Sequence, residues 1–365
     1  MRILYGVQGT GNGHISRCRS LAVAMQRHGI EVDFLFSGRA ADAYFDLQAF
    51  GAYRAYPGLT FFSHDGQVDL WQTLRQNRPR QFWQDMHQID FSGYDKVFSD
   101  FEPLTAWAAK RQKVPTIGIS HQASFGYGIP RAGDDLVSRS IMRHYAPVTK
   151  AVGLHWFHFG FPILPPIIDS IVPEPEDGTI LVYLPFESTR AIHELLSRYR
   201  GVEFRCYHPD IHQPHVVGNI HYYPQSREAF KQALARSRGV ITNAGFELAS
   251  EALSLGKKLL LKPLQGQFEQ QTNAMTLEML GLGEVMQSLD PGAVRSWLNS
   301  EAPGCVHYPD VADGIARWLA AGGNEPISLL IERMWRRVSV PELVCDRLAE
   351  LGMADTMGCT LPLKA

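Results

Sequence analysis

The sequence predicts an α/β protein built from two Rossmann-like domains whose parallel sheets face a central cleft. Three observations lead to this prediction. The chain has 365 residues, which exceeds the usual size of a single hydrophobic core. Short apolar runs alternate with stretches of helical spacing in both halves, as in parallel sheets covered by helices. A proline-dense stretch at 161–178 separates the two series.

The first series supports a domain over residues 1–160. Its strands are predicted from the apolar runs at 3–7, 32–36, 96–98 and 116–119. A glycine turn at 9–13 and a helical stretch at 16–28 connect the first two runs. The order strand, turn, helix, strand is the beginning of a parallel βαβ unit.

The second series supports a domain over 179–335, joined to the first by a linker at 161–178. Its strands are predicted at 179–184, 202–206, 239–242 and 258–261. The last helical stretch, 326–351, is long enough for the segment 336–365 to cross back to the first domain. Ligands of such folds bind between the domains, at the carboxyl edges of the sheets.

The composition limits the class of function and the compartment. A net charge of -2 and a pI near 6.7 give no electrostatic footprint for nucleic acid. The five cysteines are scattered without a zinc-binding spacing, which is typical of a reducing compartment. The apolar run at 3–7 is too short for a signal peptide. We therefore expect a cytoplasmic protein.

The glycine turn does not match the common nucleotide motifs. A dinucleotide fingerprint would need glycine where His14 stands, and a P-loop would need lysine where Asn12 stands. Gly11, Asn12 and Gly13 instead form a turn at a helix N-terminus, where amide groups can hold anionic or hydroxyl-rich groups. Histidine can accept a proton near neutral pH. His14 is therefore a candidate general base, and a helix-capping role is its alternative.

Acidic and polar residues follow two further strands of the first domain. Asp100 comes at the end of a strand, where its carboxylate could orient and stabilise a protonated His14 or cap a helix. Glu102 is a second candidate for that role or for the acceptor side. His121 and Gln122 follow the next strand, so they are expected on the cleft rim, in contact with an acceptor or in local hydrogen bonds.

The segment 242–274 of the second domain carries the strongest functional pattern. A strand leads into a small-residue turn and a helix, and free amide groups at this turn suit a diphosphate. The turn consists of Asn243, Ala244, Gly245 and Phe246. Glu251, on the helix, could accept hydrogen bonds from ribose hydroxyls, and Glu269 and Gln270 could bind those of a sugar. Ser188 follows the domain's first strand, where helix capping and donor contact are both open.

These residues resemble the donor-binding signature of GT-B glycosyltransferases. The resemblance includes UDP-glycosyltransferases and the MurG-type enzymes that build peptidoglycan lipid intermediates, and is closest to a related group of uncharacterised prokaryotic glycosyltransferases. It covers residues 1–285. It implies that the turn at 243–246 holds the diphosphate, that Glu251 binds ribose, and that Glu269 and Gln270 contact the transferred sugar.

The same resemblance implies roles outside this segment. Tyr222 and Gln225 stand beside the nucleotide base, with Tyr222 in place of the tryptophan that is frequent there. His14 would be the general base and Asp100 its partner. Glu247 departs from the family, because plant-type members often have a polar pair at Glu247 and Leu248, so phosphate contacts would depend on the backbone.

The function implied is inverting, metal-independent transfer of a sugar from a nucleotide-sugar, UDP- in preference to dTDP-, to an acceptor hydroxyl. Retaining GT-B enzymes often carry a Glu-x7-Glu pair, which is absent after Glu247, Glu251, Glu269 and Glu278. No cofactor or metal is expected, because helix dipole and backbone amides can stabilise the leaving group. A nucleotide-sugar epimerase or hydrolase is the alternative, and a non-catalytic binding protein is a third hypothesis.

The acceptor is expected to be a carbohydrate, a lipid-linked molecule or another small molecule. Aromatic residues and arginines alternate at 69–89, and such a stretch either packs on the first domain or docks on a lipid surface. In the second case the protein would bind peripherally to the inner face of the membrane.

Overall fold

Two seven-stranded sheets form the framework of the protein. The structure, a computed structural model, describes residues 1–353 except 11, 40–43, 45–46, 60–62, 65–66, 69–77, 134–139, 141 and 143. Helices cover each sheet. Side chains of the two halves contact each other across a cleft. The predicted α/β architecture is therefore confirmed, and the bounds of the two domains stay a prediction.

The first sheet is entirely parallel, in the order β3-β2-β1-β6-β7-β8-β9. Its strands are β1 (Arg2–Gln8), β2 (Glu31–Ser37), β3 (Tyr53–Tyr56), β6 (Lys96–Asp100), β7 (Thr116–Ser120), β8 (Lys150–Leu154) and β9 (Ile163–Leu164). A separate antiparallel pair comprises β4 (Ser63–His64) and β5 (Gln67–Val68). Because β9 belongs to the first sheet, the predicted linker begins with a strand.

The helices of the first half connect these strands. They are α1 (Asn12–Arg27), α2 (Pro79–Gln88), α3 (Pro103–Gln112) and the single turn α4 (His121–Ser124), together with a 3₁₀ turn at Gln48–Phe50. Proline occupies the first turn of α2 and of α3, where its missing N–H has no intrahelical partner to lose. The apolar face of α1 packs on the sheet through Cys18, Leu21 and Met25.

The second sheet has the order β12-β13-β11-β10-β14-β15-β16, and only β12 is antiparallel to its neighbour. Its strands are β10 (Ile180–Tyr183), β11 (Phe204–Tyr207), β12 (His215–Val217), β13 (Ile220–Tyr223), β14 (Gly239–Thr242), β15 (Lys258–Leu261) and β16 (Glu284–Val285). Its helices are α5 (Thr189–Leu196), α6 (Arg227–Arg236), α7 (Phe246–Ser254), α8 (Phe268–Met279) and α9 (Pro291–Asn299).

The chain returns to the first sheet earlier than the sequence predicts. The last helices are α10 (Val311–Ala320), α11 (Ile327–Trp335) and α12 (Glu342–Glu350). Helix α10 packs on α1 and α11 packs on β9, where the Trp335 indole donates to the Ile163 carbonyl at 2.6 Å. In contrast, α12 lies against Gly281 of the second half through Leu343 and Arg347.

The single helix expected at 326–351 is therefore wrong. A β-bridge between His307 and Ser339 and the following Pro341 divide it into α11 and α12. A proline cannot continue a helix, so the chain direction changes there. The return that the sequence assigned to 336–365 is made by α10 and α11, and residues 354–365 lie outside the described part.

Each sheet has one point at which the strand order reverses. In the first sheet β1 lies between β2 and β6, and in the second β10 lies between β11 and β14. The loops that leave neighbouring strands there turn to opposite faces, which opens a crevice at the carboxyl edge. The residues after β1, β6, β10 and β14 are therefore the ones that a ligand in the cleft meets first.

Gly6 lets β1 lie close to the start of α3. A Cβ atom at Gly6 would lie 2.5 Å from Thr105 Oγ1 and 2.6 Å from Glu102 Oε2. We predict that Gly6→Ala lowers the free energy of unfolding by about 1–3 kcal/mol through overpacking, measured by urea denaturation. Gly201→Ala is the control, because a Cβ there meets nothing within 4 Å. Equal stability of the two variants would contradict this packing.

Candidate active site

His14 and Asp100 meet at the reversal point of the first sheet. His14 lies in the first turn of α1, and Asp100 is the last residue of β6, beside Val7 of β1. His14 Nδ1 lies 2.9 Å from Asp100 Oδ1. When Nδ1 carries the proton and donates to Asp100, Nε2 keeps its lone pair. The predicted pair is therefore formed, in a geometry that suits a general base.

Asp100 is fully buried and is held as an anion by several donors. Arg17 donates from Nε to Asp100 Oδ2 at 2.6 Å and from Nη2 to Oδ1 at 2.5 Å, and the Cys18 thiol lies 3.3 Å from Oδ2. Burial by itself raises the pKa of Asp100, but the charge of Arg17 and then of His14 lowers it to about 2. The next residue, Phe101, has a left-handed φ of 52°, which is strained for a residue other than glycine.

Arg17 is the main site residue that the sequence reasoning missed. It lies three positions after His14, so both side chains leave α1 on the same face. Its Nη1 donates to Glu247 Oε1 at 2.6 Å, and Glu247 belongs to α7 of the second half. Gly13 lies against the same side chain, because a Cβ there would be 2.9 Å from Glu247 Cγ. The spacing of His14 and Arg17 on a helix was the available signal.

The start of α7 is open, although not at every amide that the sequence proposed. Gly245 N–H donates to the Asn243 carbonyl at 2.8 Å, so it is not free for a ligand. The N-cap is Gly245, and no side chain caps the helix. The amide groups of the first turn, from Phe246 onward, therefore face the cleft with the positive end of the helix dipole. This is the chemistry that binds phosphate groups.

His121 connects the two halves beside this helix start. Its Nδ1 lies 2.8 Å from the Leu154 carbonyl and its Nε2 lies 2.8 Å from Asn273 Oδ1. The ring stacks on Phe246 with centroids 3.9 Å apart. Asn273 also donates to the Ala244 carbonyl at 3.0 Å. Burial lowers the pKa of His121. His121 thus supports the turn after β14, and it is not on an open rim.

Gln122 and the two polar residues of α8 lie close together. Gln122 Nε2 donates to Glu269 Oε2 at 3.1 Å, and its Oε1 is buried without a hydrogen-bond partner. Gln270 Oε1 accepts from the Leu264 amide at 3.0 Å. Asn243 Oδ1 is buried and unpartnered too. Buried polar atoms are almost always paired, so these open oxygens indicate groups that a polar ligand would satisfy.

Glu251 is buried on the same face of α7 as Glu247, one turn later. Burial and next the charge of Glu247 raise the pKa of Glu251 to about 8. Within the described residues its carboxylate has no hydrogen-bond partner. Its side chain is only 8% exposed, and an unpaired buried carboxyl group is costly. Glu251 is therefore well placed to accept hydrogen bonds from a polyol.

Tyr222 does not lie beside Gln225. Consecutive residues of a strand face opposite sides of the sheet. Tyr222 lies under α5 and is 3% exposed, with its hydroxyl 3.4 Å from His193 Nδ1. The residue that Gln225 contacts is Tyr183, at the end of β10, with 3.4 Å between Nε2 and the hydroxyl. Tyr183 is thus an aromatic side chain that contacts Gln225, at the position that the sequence assigned to Tyr222.

Two other residues cap helices. Glu102 is the N-cap of α3, where its carboxylate accepts from the amides of Leu104 and Thr105 at 2.6 and 2.7 Å. These amides occupy its buried carboxylate, so the structure assigns Glu102 to helix capping and not to His14 or to an acceptor. Ser188 is the N-cap of α5 and accepts from the Ala191 amide. The capping alternative describes Ser188, which remains exposed at the carboxyl edge of the second sheet.

Asn12 begins α1, and its Oδ1 lies 3.3 Å from Arg39 Nη2. Gly11 lies outside the described residues.

Residues 69–77 of the stretch that the sequence related to a lipid surface also lie outside the described residues. In the rest of that stretch Trp83 is 59% exposed and its ring lies against His87. No described helix is long and apolar enough to cross a membrane. Lipid contact stays a prediction.

A metal site is not evident in the part of the chain that the structure describes, because no three His, Cys, Asp or Glu side chains are grouped to hold an ion. Metal-independent chemistry remains a prediction, since it depends on the reaction and not on this grouping.

Two parallel sheets facing a cleft, with a His–Asp pair opposite an uncapped helix start, define the GT-B class of glycosyltransferases. The chain belongs to glycosyl transferase family 1, whose family model matches residues 1–301. A glycosyltransferase of Methanosarcina acetivorans, itself described as uncharacterized, is 24% identical over an alignment of 336 positions, which covers 79% of this chain and 84% of that protein. The protein is therefore an enzyme of the transferase class.

Solved structures share the fold over nearly the whole chain. The structure of LpCGTa in complex with UDP has a TM-score of 0.58 and 14% identity, covering 97% of this chain and 99% of the other. The glycosyltransferase SsfS6 of Streptomyces sp. SF2575, complexed with thymidine diphosphate, has a TM-score of 0.57 and 14% identity, covering 96% and 99%. At this identity the likeness concerns the fold.

The reassignment of Glu102 to a helix cap can be tested through stability. In Glu102→Gln an amide donor replaces one carboxylate oxygen opposite buried donors, so we expect a loss of about 1–3 kcal/mol in unfolding free energy. Asp290→Asn, at the exposed N-cap of α9, should lose less than about 0.5 kcal/mol. Urea denaturation measures both. A loss of transfer activity in Glu102→Gln, with stability unchanged, would restore its proposed place beside His14 or on the acceptor side.

Proposed function

We propose that the protein is an inverting, metal-independent glycosyltransferase that uses a nucleotide-sugar donor, UDP- in preference to dTDP-. The observation that carries this proposal is the His14–Asp100 pair at 2.9 Å, placed directly across from the open start of α7. One side of the cleft can take a proton, and the other can stabilise a departing anion. These are the two requirements of a single displacement at a sugar carbon.

The reaction proceeds by direct attack of the acceptor hydroxyl on the anomeric carbon. His14 Nε2 takes the hydroxyl proton as the new C–O bond forms, while Asp100 stabilises the resulting imidazolium. The bond from the anomeric carbon to the diphosphate oxygen breaks, and its electron pair leaves with the diphosphate. Amide groups at the start of α7 and the helix dipole stabilise that charge without requiring a metal ion. A single displacement inverts the anomeric configuration.

The second half binds the donor. Glu251 accepts from the ribose hydroxyls, the turn at 243–246 holds the diphosphate, and Glu269 and Gln270 bind the sugar. Tyr183 and Gln225 are the residues proposed beside the base. Structural neighbours were solved with UDP and with thymidine diphosphate, which supports a nucleoside diphosphate as the leaving group. Glu251 favours UDP, because a deoxyribose lacks the 2′-hydroxyl that this carboxylate could bind.

The role of His14 predicts a loss of turnover without a loss of donor binding. We expect His14→Ala to lower kcat by about 10²–10⁴, and to bind UDP as the wild type does in calorimetry. His28→Ala is the matched control, because His28 directly follows the same helix and pairs with Asp313 at 2.8 Å. Retained transfer in His14→Ala would contradict the catalytic role. Free sugar or an epimer formed without acceptor would point to the hydrolase or epimerase alternative.

The role of Glu251 predicts a change in nucleotide preference. A hydrogen bond to a charged group contributes about 1.5–3 kcal/mol, so Glu251→Ala should weaken UDP binding about 10- to 100-fold. The loss for dTDP should be smaller, since one hydroxyl is absent. Glu278→Ala, at an exposed glutamate of α8, is the control. Equal losses for the two nucleotides would argue against recognition of the 2′-hydroxyl.

Glu251 also predicts the pH dependence of donor binding. Its pKa is raised to about 8 in the free protein, so below that pH it is mainly protonated. Ribose hydroxyls donate to the ionised form and lower this pKa, so binding releases a proton near pH 7. UDP affinity therefore rises as the pH approaches about 8 and then levels off. Calorimetry in buffers of different ionisation enthalpy measures the proton release, which should vanish in Glu251→Ala.

A further inference from the structure

A continuous chain of charged side chains runs from the catalytic pair to the donor helix. His14 contacts Asp100, Asp100 contacts Arg17, and Arg17 contacts Glu247. Arg17 and Asp100 are buried, and Glu247 is nearly so. In a low-dielectric interior these charges act strongly on each other. The affinity of His14 for a proton therefore depends on the charges of all four groups.

Arg17 holds Asp100 in place, and its positive charge also opposes the protonation of His14. Its Nη2 lies 2.5 Å from His14 Nδ1, and a guanidinium can only donate. The positive charge of Arg17 is thus next to the ring that must become positive during catalysis. Arg17 also neutralises Asp100, so Asp100 alone cannot balance the imidazolium. A second anion is needed beside Arg17.

Glu247 provides that anion. With His14 neutral, the two carboxylates and one guanidinium of the chain leave one net negative charge. When His14 is protonated, the four groups are neutral together. Without the charge of Glu247, protonated His14 and Arg17 would share the single anion Asp100, which leaves an uncompensated buried positive charge.

We propose that Glu247 is a positioning residue for the transfer reaction, whose charge acts through Arg17 and Asp100 to stabilise the protonated form of His14. This inference rests on the proposed role of His14 as the base. It also makes the dyad dependent on α7, because the anion is delivered from the donor side of the cleft.

The charges around Glu247 come from four elements. Arg17 acts on it from α1, Asp100 from β6 and Glu269 from α8, and Glu251 lies with Glu247 on α7. Burial raises the pKa of Glu247 to about 7, against the lowering effect of Arg17. Glu247 therefore ionises close to neutral pH, and below that pH the protonated dyad loses its second anion.

A contact with the donor would give a different result from this role. Glu247 lies in the first turn of α7, where a negative charge repels a diphosphate. Removing that charge should leave donor affinity unchanged or stronger. If Glu247 instead bound the donor, its removal would weaken donor binding. The two roles thus separate into an effect on kcat and an effect on the donor KM.

The test compares Glu247→Gln with Glu278→Gln, which removes the same charge from an exposed position on α8. NMR titration of the His14 ring in the ligand-free protein should show its midpoint about one pH unit lower in Glu247→Gln, and unchanged in Glu278→Gln. In transfer assays Glu247→Gln should lose about tenfold in kcat, with no rise in donor KM. The acid limb of its pH profile should become less steep.

A second variant, Glu247→Asp, keeps the charge and should recover most of the lost kcat. Circular dichroism establishes that the variants fold. An unchanged His14 midpoint, a loss expressed only as a higher donor KM, or equal losses in the Gln and Asp variants would overturn the proposal. Failure of the proposed function gives a different result: the wild type would show no transfer activity, whereas the His14 titration of the ligand-free protein tests the effect of Glu247 without that activity.

Discussion

The buried carboxylate of Asp100 is the group on which the arrangement of the cleft depends. An ionised carboxylate inside a protein costs several kcal/mol unless cations and hydrogen-bond donors surround it. Arg17, His14 and Cys18 provide them, and all three come from α1. The need to satisfy this one side chain therefore fixes the orientation of α1 on the sheet and the direction in which His14 points.

The contacts that join the two halves involve the residues around the proposed donor site. Arg17 reaches Glu247, His121 reaches Asn273, and the Trp156 indole donates to Ser250 Oγ at 2.9 Å. These partners lie on α7 and α8, whose first turns carry the residues proposed to bind the diphosphate and the sugar. The proposed donor site is therefore in direct contact with the first half.

Two of the corrected assignments have the same physical origin. Glu102 and Tyr222 both lie where a strand-end or motif position suggests a ligand contact. Glu102 is instead used by the open amides of α3, and Tyr222 is turned into the core by the alternation of β13. A motif position specifies a place along the chain. Whether the side chain faces the cleft depends on which neighbours compete for it.

The sequence by itself determined the α/β architecture, the strand ends that meet the cleft, and the family. These follow from local periodicity and from the spacing of residues in one turn and one helix. Both can be read from the amino-acid sequence alone. It also placed His14, Asp100 and Asn243 at carboxyl edges, because parallel strands have a common direction. Only the tertiary structure showed that Arg17 joins the dyad to Glu247, 230 positions away. The physical reason is that a pairing between buried charges depends on how two separate sheets face each other, and no local pattern records that.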